Sequence, residues 1–257
     1  MAFHLAAFWE NIDQAGTLQP LTAAAGEQVL FTTGDEIRVP DGLASIVAAA
    51  GIVGQTNTRA LLVSPSLRDV FNIDISPLND GGDGDCLPSA AHQVLDLRSS
   101  PVALSAGESL TAETNANQTD ADDQSVLVWL ADGPIAPVSG SEVHALRATA
   151  AITATAGAWS NGALTFLQTI PVGTYAVVGM RAEGTTLVAA RLVFRGGGWR
   201  PGVMGSVNAQ DEGWAGFRNG GFGIFGEFHS TVPPTLDVLC NDADSAQRVI
   251  LDLVKTG

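Results

Sequence analysis

Asp120-Ala-Asp-Asp-Gln-Ser-Val-Leu-Val-Trp-Leu130 returns near the C-terminus as Asp242-Ala-Asp-Ser-Ala-Gln-Arg-Val-Ile-Leu-Asp-Leu253. Asp120, Ala121 and Asp122 match Asp242, Ala243 and Asp244. After one inserted residue, Gln124, Val126 and Leu130 match Gln247, Val249 and Leu253. Upstream, Leu110-Thr-Ala-Glu-Thr-Asn115 occupies the place of Pro234-Thr-Leu-Asp-Val-Leu-Cys-Asn241. Each copy reads as a strand, an acidic turn and a final strand. The copies lie about half of the 257 residues apart. Solenoid repeats recur every 20 to 50 residues or so, so this longer period points to two similar domains in tandem.

A fainter echo runs in the same order. Val39-Pro40 answers Ile170-Pro171, and an apolar strand follows each: Arg59-Ala-Leu-Leu-Val63 and Ala190-Arg-Leu-Val-Phe194. Between the halves, Ala131-Asp-Gly-Pro-Ile-Ala-Pro-Val-Ser-Gly140 is rich in glycine and proline. The expected division is a first domain over 1–133, a linker over 134–140 and a second domain over 141–257. Either domain is long enough to bury its own core.

Strand signals dominate both halves. Val70-Phe-Asn-Ile-Asp-Ile-Ser76 alternates with period two, as a half-buried strand does. Glu142 to Thr155 is rich in alanine, but its Thr and Val spacing and Gly157 favour a strand. Leu43 to Ala50 reads as a helix capped by Asp41 and ended by Gly51. About eight short strands per half, at spacings of roughly 8 to 12 residues, define the all-β class, a sandwich or jelly roll. The expected fold is two tandem eight-stranded antiparallel jelly rolls with one or two short helices.

Charge narrows the partners. The chain carries 27 acidic and 12 basic residues, a net −15, and Lys255 is its only lysine. Nucleic-acid affinity is built from Lys and Arg, so a direct phosphate partner is not expected. Adsorption to anionic lipid is disfavoured as well. The balance favours solubility, cation binding or high-salt surroundings. Met1–Glu10 lacks the basic and apolar regions of a signal peptide. The apolar run Leu43–Val53 is far short of the ~20 residues of a membrane helix.

No catalytic pattern stands out. There is no G-x-S-x-G elbow and no P-loop, and His4, His92, His144 and His229 are scattered singly. An enzyme and a cofactor are therefore not expected, although a glycosidase carboxylate pair needs no fixed spacing. Cys86 and Cys240 read as two buried thiols, with a disulfide as the alternative. Asp80, Asp83 and Asp85 lie in the loop Asn79-Asp-Gly-Gly-Asp-Gly-Asp85. A solvated turn is the plainer reading of it. The sharper one is a calcium loop offering oxygen ligands, without EF-hand spacing. The aspartates of the repeat suit tight turns better than metal. Gly196 to Gly226 interleaves glycines with Trp199, Arg200, Trp214, Phe217, Arg218, Phe222 and Phe225. It reads either as a packed loop or as an arm that docks on a neighbouring subunit, since aromatic residues and Arg anchor interfaces.

With its Asp-Ala-Asp repeat, its Val/Ile-Pro echoes and its strand rhythm, the whole chain resembles the double jelly-roll major capsid proteins of tailless icosahedral viruses, the tectivirus, corticovirus and adenovirus group. The likeness is one of architecture and carries over no functional residue. It implies a structural virion protein in which three chains form a pseudo-hexameric capsomer. It also implies minor capsid proteins as partners, an internal membrane beneath many such shells and a location in the virion. The alternative is a tandem β-sandwich that binds carbohydrate or acts as an adhesin, because sandwiches host all these functions.

Overall fold

The structure is a computed structural model. It describes residues 3–52, 59–67, 73–75, 77–78, 94–139, 142–207 and 214–257. The chain forms two compact units, one of Ala6–Pro134 and one of Ile135–Gly257 joined by the first five residues. Ile135 is buried and Val138 donates its N–H to Gly220 O at 2.9 Å, so the Pro-rich stretch expected to be a linker is built into the second unit.

The fold is all-β. The first unit contains β1 (Phe3–Pro20, whose first residues belong to the other unit), β2 (Thr22–Ala23), β3 (Thr32–Thr33), β4 (Glu36–Arg38), β5 (Ser45–Ile52), β6 (Arg59–Val63), β7 (Ile73–Ile75), β8 (Pro77–Leu78), β9 (Leu95–Asp96), β10 (Val102–Ala103) and β11 (Ser109–Ala131). The second contains β12 (His144–Ala150), β13 (Ser160–Ala163), β14 (Thr165–Phe166), β15 (Thr174–Glu183), β16 (Leu187–Val193), β17 (Gly202–Met204), β18 (Gly226–His229), β19 (Thr235–Cys240) and β20 (Gln247–Lys255). Among the described residues the only helical element is a 3₁₀ turn at Ala215–Phe217.

The helix expected over Leu43–Ala50 is instead the central strand β5. It pairs antiparallel with β11 on one side and with β9 and β10 on the other. Ala48, Ala49 and Ala50 are all fully buried. Alanine's helix preference is a weak prior. A strand covered on both faces reads as an unbroken apolar run, which periodicity cannot tell from a buried helix. Asp41 precedes Gly42 in a tight turn, and Gly42 takes φ 85°, which a side chain rarely adopts.

In the second unit the sheets are ordered β14-β12-β20-β15-β18 and β13-β19-β16-β17. In the first unit the main path is β10-β5-β11-β1-β2, and β6 joins β11 to β7. The repeat lands in matching places. Residues 111–115 of β11 pair with β6, and 125–131 pair with β5. Correspondingly, β19 pairs with β16 and β20 with β15. The faint echo is matched too, since Arg59–Val63 is β6 and Ala190–Val193 lies in β16.

A β-bulge recurs at the same position. Leu130 faces Ile46 and Trp129 faces Ala48, which leaves Val47 as the extra residue. Leu253, the match of Leu130, faces Val177, and Asp252 faces Gly179, which leaves Val178 extra. A bulge bends its strand and increases the local twist. Shared placement of one, residue for residue, ties the units together beyond sequence identity.

Within the first copy, β11 runs unbroken from Ser109 to Ala131, yet the Thr114 hydroxyl hydrogen-bonds Gln124 Oε1. Ten residues in extended form would separate them by about 33 Å. The run therefore doubles back between them. In the second copy the reversal is explicit, with a bend over Asn241–Asp242 between β19 and β20.

Candidate functional site

The glycine- and aromatic-rich segment before β18 is anchored by two aspartates that stand on the last two strands of the second unit. Asp237 sits in the middle of β19, directly opposite Arg191 of β16. Both are buried, and Arg191 is 0% exposed. Arg191 Nε and Arg200 Nη1 donate to the same Asp237 oxygen at 2.9 and 2.6 Å. Asn161 Nδ2 donates to the other oxygen at 2.7 Å. Arg191 Nη1 also donates to Leu5 O at 3.1 Å, and its guanidinium carbon lies 3.9 Å from the centre of the Trp159 ring. A cation over an indole face gains electrostatic attraction that desolvation strengthens. His4 Nδ1 accepts the Arg200 N–H at 3.1 Å, and its ring meets Trp199 edge-on.

The second anchor is Asp252 of β20. Arg218 grips it with both arms, Nε at 2.7 Å and Nη2 at 2.8 Å, and the Asn219 N–H adds a third bond at 2.8 Å. Such fork geometry is the strong form of an Arg–carboxylate pair. The Asp252 hydrogen bond holds the Arg218 guanidinium above its ordinary pKa. Gly179 makes the approach possible, because a Cβ there would lie 2.8 Å from Asn219 N and 2.9 Å from Arg218 Cα.

The phenylalanines close the segment onto the core. Phe3 meets Phe222 at 4.8 Å and Phe225 at 5.0 Å, edge to face. Trp214 meets Phe217 at 4.8 Å, and Phe217 meets Phe222 at 5.4 Å. Phe217, Phe222 and Phe225 are thus buried in their own unit, as the packed-loop reading has it. Of the residues considered for a subunit contact, Trp199, Arg200, Trp214 and Arg218 keep partial exposure. A cleft of about 310 Å³ opens beside the turn, lined by Met180, Arg181, Ser206, Trp214, Phe217 and Arg218.

Asp80, Asp83 and Asp85 lie outside the described residues, as does Cys86. Among the described residues no three His, Cys, Asp or Glu side chains gather as a metal site. The repeat aspartates act as turn formers in the second copy. Asp242 accepts the Ala243 N–H at 2.6 Å and Asp244 accepts that of Ala246 at 2.9 Å. In the first copy Asp123 accepts from Asn11 Nδ2 at 2.8 Å. Cys240 is a buried free thiol whose pKa is pushed up to about 12, first by burial and then by the charge of Asp244. A thiol so far from its thiolate is chemically inert at neutral pH.

The buried Asp237 cluster was missed at the level of sequence. Its signal was a lone charge in each of two apolar strands, Arg191 within Leu187-Val-Ala-Ala-Arg-Leu-Val193 and Asp237 within Thr235-Leu-Asp-Val-Leu-Cys240. A buried charge must be paired, so opposite lone charges are candidates to face each other. Both clusters read as structural anchors, with the carboxylates committed to arginines. No protein-family model, curated protein or solved structure matches the chain.

Proposed function

We propose that the chain is a structural virion protein, a double jelly-roll major capsid protein that assembles as trimers into pseudo-hexameric capsomers of an icosahedral shell. The observation that carries this reading is strand order. With the short β14 set aside, the second unit has eight strands. Its sheets join the first, eighth, third and sixth in one layer and the second, seventh, fourth and fifth in the other. This order supports a jelly-roll winding, two Greek keys nested in eight strands. The first unit supports the same reading. Its first and last strands, β1 and β11, are neighbours, β5 and β10 follow, and β6 and β7 extend from residues 111–115. The shared bulge at Leu130 and Leu253 argues that one jelly roll was duplicated.

On this reading the partners are further copies of the chain and minor capsid proteins. The location is the virion, and no catalysis is assigned. The test is solution mass by light scattering, with and without calcium or chelator, from low to high salt. A trimer of about 80 kDa, three times 26.5 kDa, is expected. A monomer under every condition overturns the reading, and glycan arrays then test the carbohydrate-binding alternative.

A further inference from the structure

Strand register places three arginines of the second unit on one side of a sheet. In β12, β20 and β15, Arg147 faces Ile250, which faces Arg181. The next row is Thr149, Arg248 and Glu183, and the row on the other side is Ala145, Asp252 and Gly179. Residues two apart on a strand share a face. One face therefore carries Arg147, Arg181 and Arg248 against a single carboxylate, Glu183, beside the mutually neutralised Arg218–Asp252 pair. The opposite face, with Leu146, Ala148, Met180, Ala182, Val249 and Leu251, is the buried core. Arg147 and Arg248 are exposed. Glu183 is shared, at 3.4 Å from Arg248 and 3.7 Å from Arg181. These three strands carry a net +2 on that face, and Glu227 of the adjoining β18, opposite Ala176 on the same side, brings the sheet to +1.

This is unusual in a chain of net charge −15. The acid excess is not spread evenly. Residues 6–134 hold eighteen Asp and Glu against four Arg, a net −14, while the rest of the chain holds nine against eight, a net −1. We propose that the Arg147–Arg248 face of β12, β20 and β15 docks onto the acidic first unit of a second copy of the chain. The proposal rests on the self-assembly reading above and names the surface that serves it. Charge complementarity selects the occupant: a net-positive face has its strongest available partner in a unit of net −14. Opposite patches steer encounter and fix register. A contact between two different patches is heterologous, and heterologous contacts close into rings when the rotation allows. A nucleic-acid occupant is disfavoured, because the rest of the chain would repel phosphate.

The test uses the full chain. R147E/R248E should weaken self-association by about tenfold or more, with the wild type losing association as salt rises and screening shortens. In parallel, R147K/R248K keeps the charge and offers two amines at the face. Carbodiimide then condenses amine and carboxylate into an amide with loss of water. Mixed ¹⁴N- and ¹⁵N-labelled chains restrict the readout to links between copies. Links from positions 147 and 248 to carboxylates of residues 6–134 are expected, above the wild-type background from Lys255. Links confined to residues 135–257, or an unchanged mass for R147E/R248E, overturn this proposal while self-assembly stands. A wild-type chain that is monomeric at every salt concentration overturns both. If that monomer binds polyphosphate through Arg147 and Arg248, the face belongs to a phosphate partner instead.

Discussion

The two units use the same repeat to different depths. Gln124 and Gln247 are matched residues, both buried, Gln124 opening the second run of β11 and Gln247 opening β20, and each run carries Val and Leu into its core. Gln247 closes a two-way bridge to Ile152, accepting its N–H at 3.0 Å and donating to its carbonyl at 3.1 Å. Gln124 meets only the Thr114 hydroxyl, and its Nε2 has no hydrogen-bond partner. Charges differ in the same direction. The second unit buries Asp237 with Arg191, whereas the described ion pairs of the first, Arg38–Glu36 and Arg98–Asp96, lie nearer the surface. The two units thus share their pairing and their bulge, while the polar interior is elaborated in one of them. Hydrogen-bonded backbone ladders tolerate many side chains, but a buried polar group constrains each neighbour that must satisfy it.

The sharpest way to break this contrast is at Asp237. D237A leaves Arg191 buried without its carboxylate, and loss of one partner of a buried pair costs about 3–5 kcal/mol. Urea unfolding followed by tryptophan fluorescence should show a large drop in the midpoint. A shift no larger than that of a surface substitution would mean that the cluster is not buried as described. The matched glutamines come next. Q247L orphans both the N–H and the carbonyl of Ile152, at about 1–3 kcal/mol for each buried group. Q124L orphans one buried group, the Thr114 hydroxyl, at about 1–3 kcal/mol, and removes an amide that is already unsatisfied, so its loss should be the smaller of the two. Equal losses for the two would erase the difference between the copies.

The smallest effect concerns acid. In the first unit, the hydrogen bond from Arg98 lowers the Asp96 pKa against the opposing effect of burial. For Glu108, burial raises the pKa but is outweighed by hydrogen bonds from Ser66, Ser105 and Ser64. A carboxyl whose folded pKa is depressed adds stability above its unfolded value and loses it as pH falls through the folded one. D96N and E108Q should therefore flatten the loss of stability below about pH 4, where unfolded carboxylates titrate. The change is small because both groups are partly solvated. An acid limb identical to the wild type would remove these two groups from the account.

Much of the architecture was legible in the chain. The Asp-Ala-Asp copies and the weaker Arg59 and Arg191 echo pointed to two related all-β halves, and those residues occupy equivalent strands. The alanine-rich stretch at Glu142 was readable as a strand because Thr and Val interrupt it. The other alanine-rich stretch, at Leu43, reads as a helix because burial on both faces erases the alternation that marks a strand. Trp199, Arg200, Trp214 and Arg218 were legible as anchors, but not the targets they hold within the unit. Aromatic and Arg-rich segments look alike whether they pack at home or on a neighbour.

By itself the sequence determined the internal repeat, the strand-rich class and the acid excess, because these depend on local pattern and on counting. Tertiary structure alone decided that Asp237 faces Arg191 and that Asp252 receives Arg218. It alone decided that Arg147, Arg181 and Arg248 share one face. Each of these depends on the register between strands far apart in sequence, and a slip of one residue would send every side chain to the opposite face.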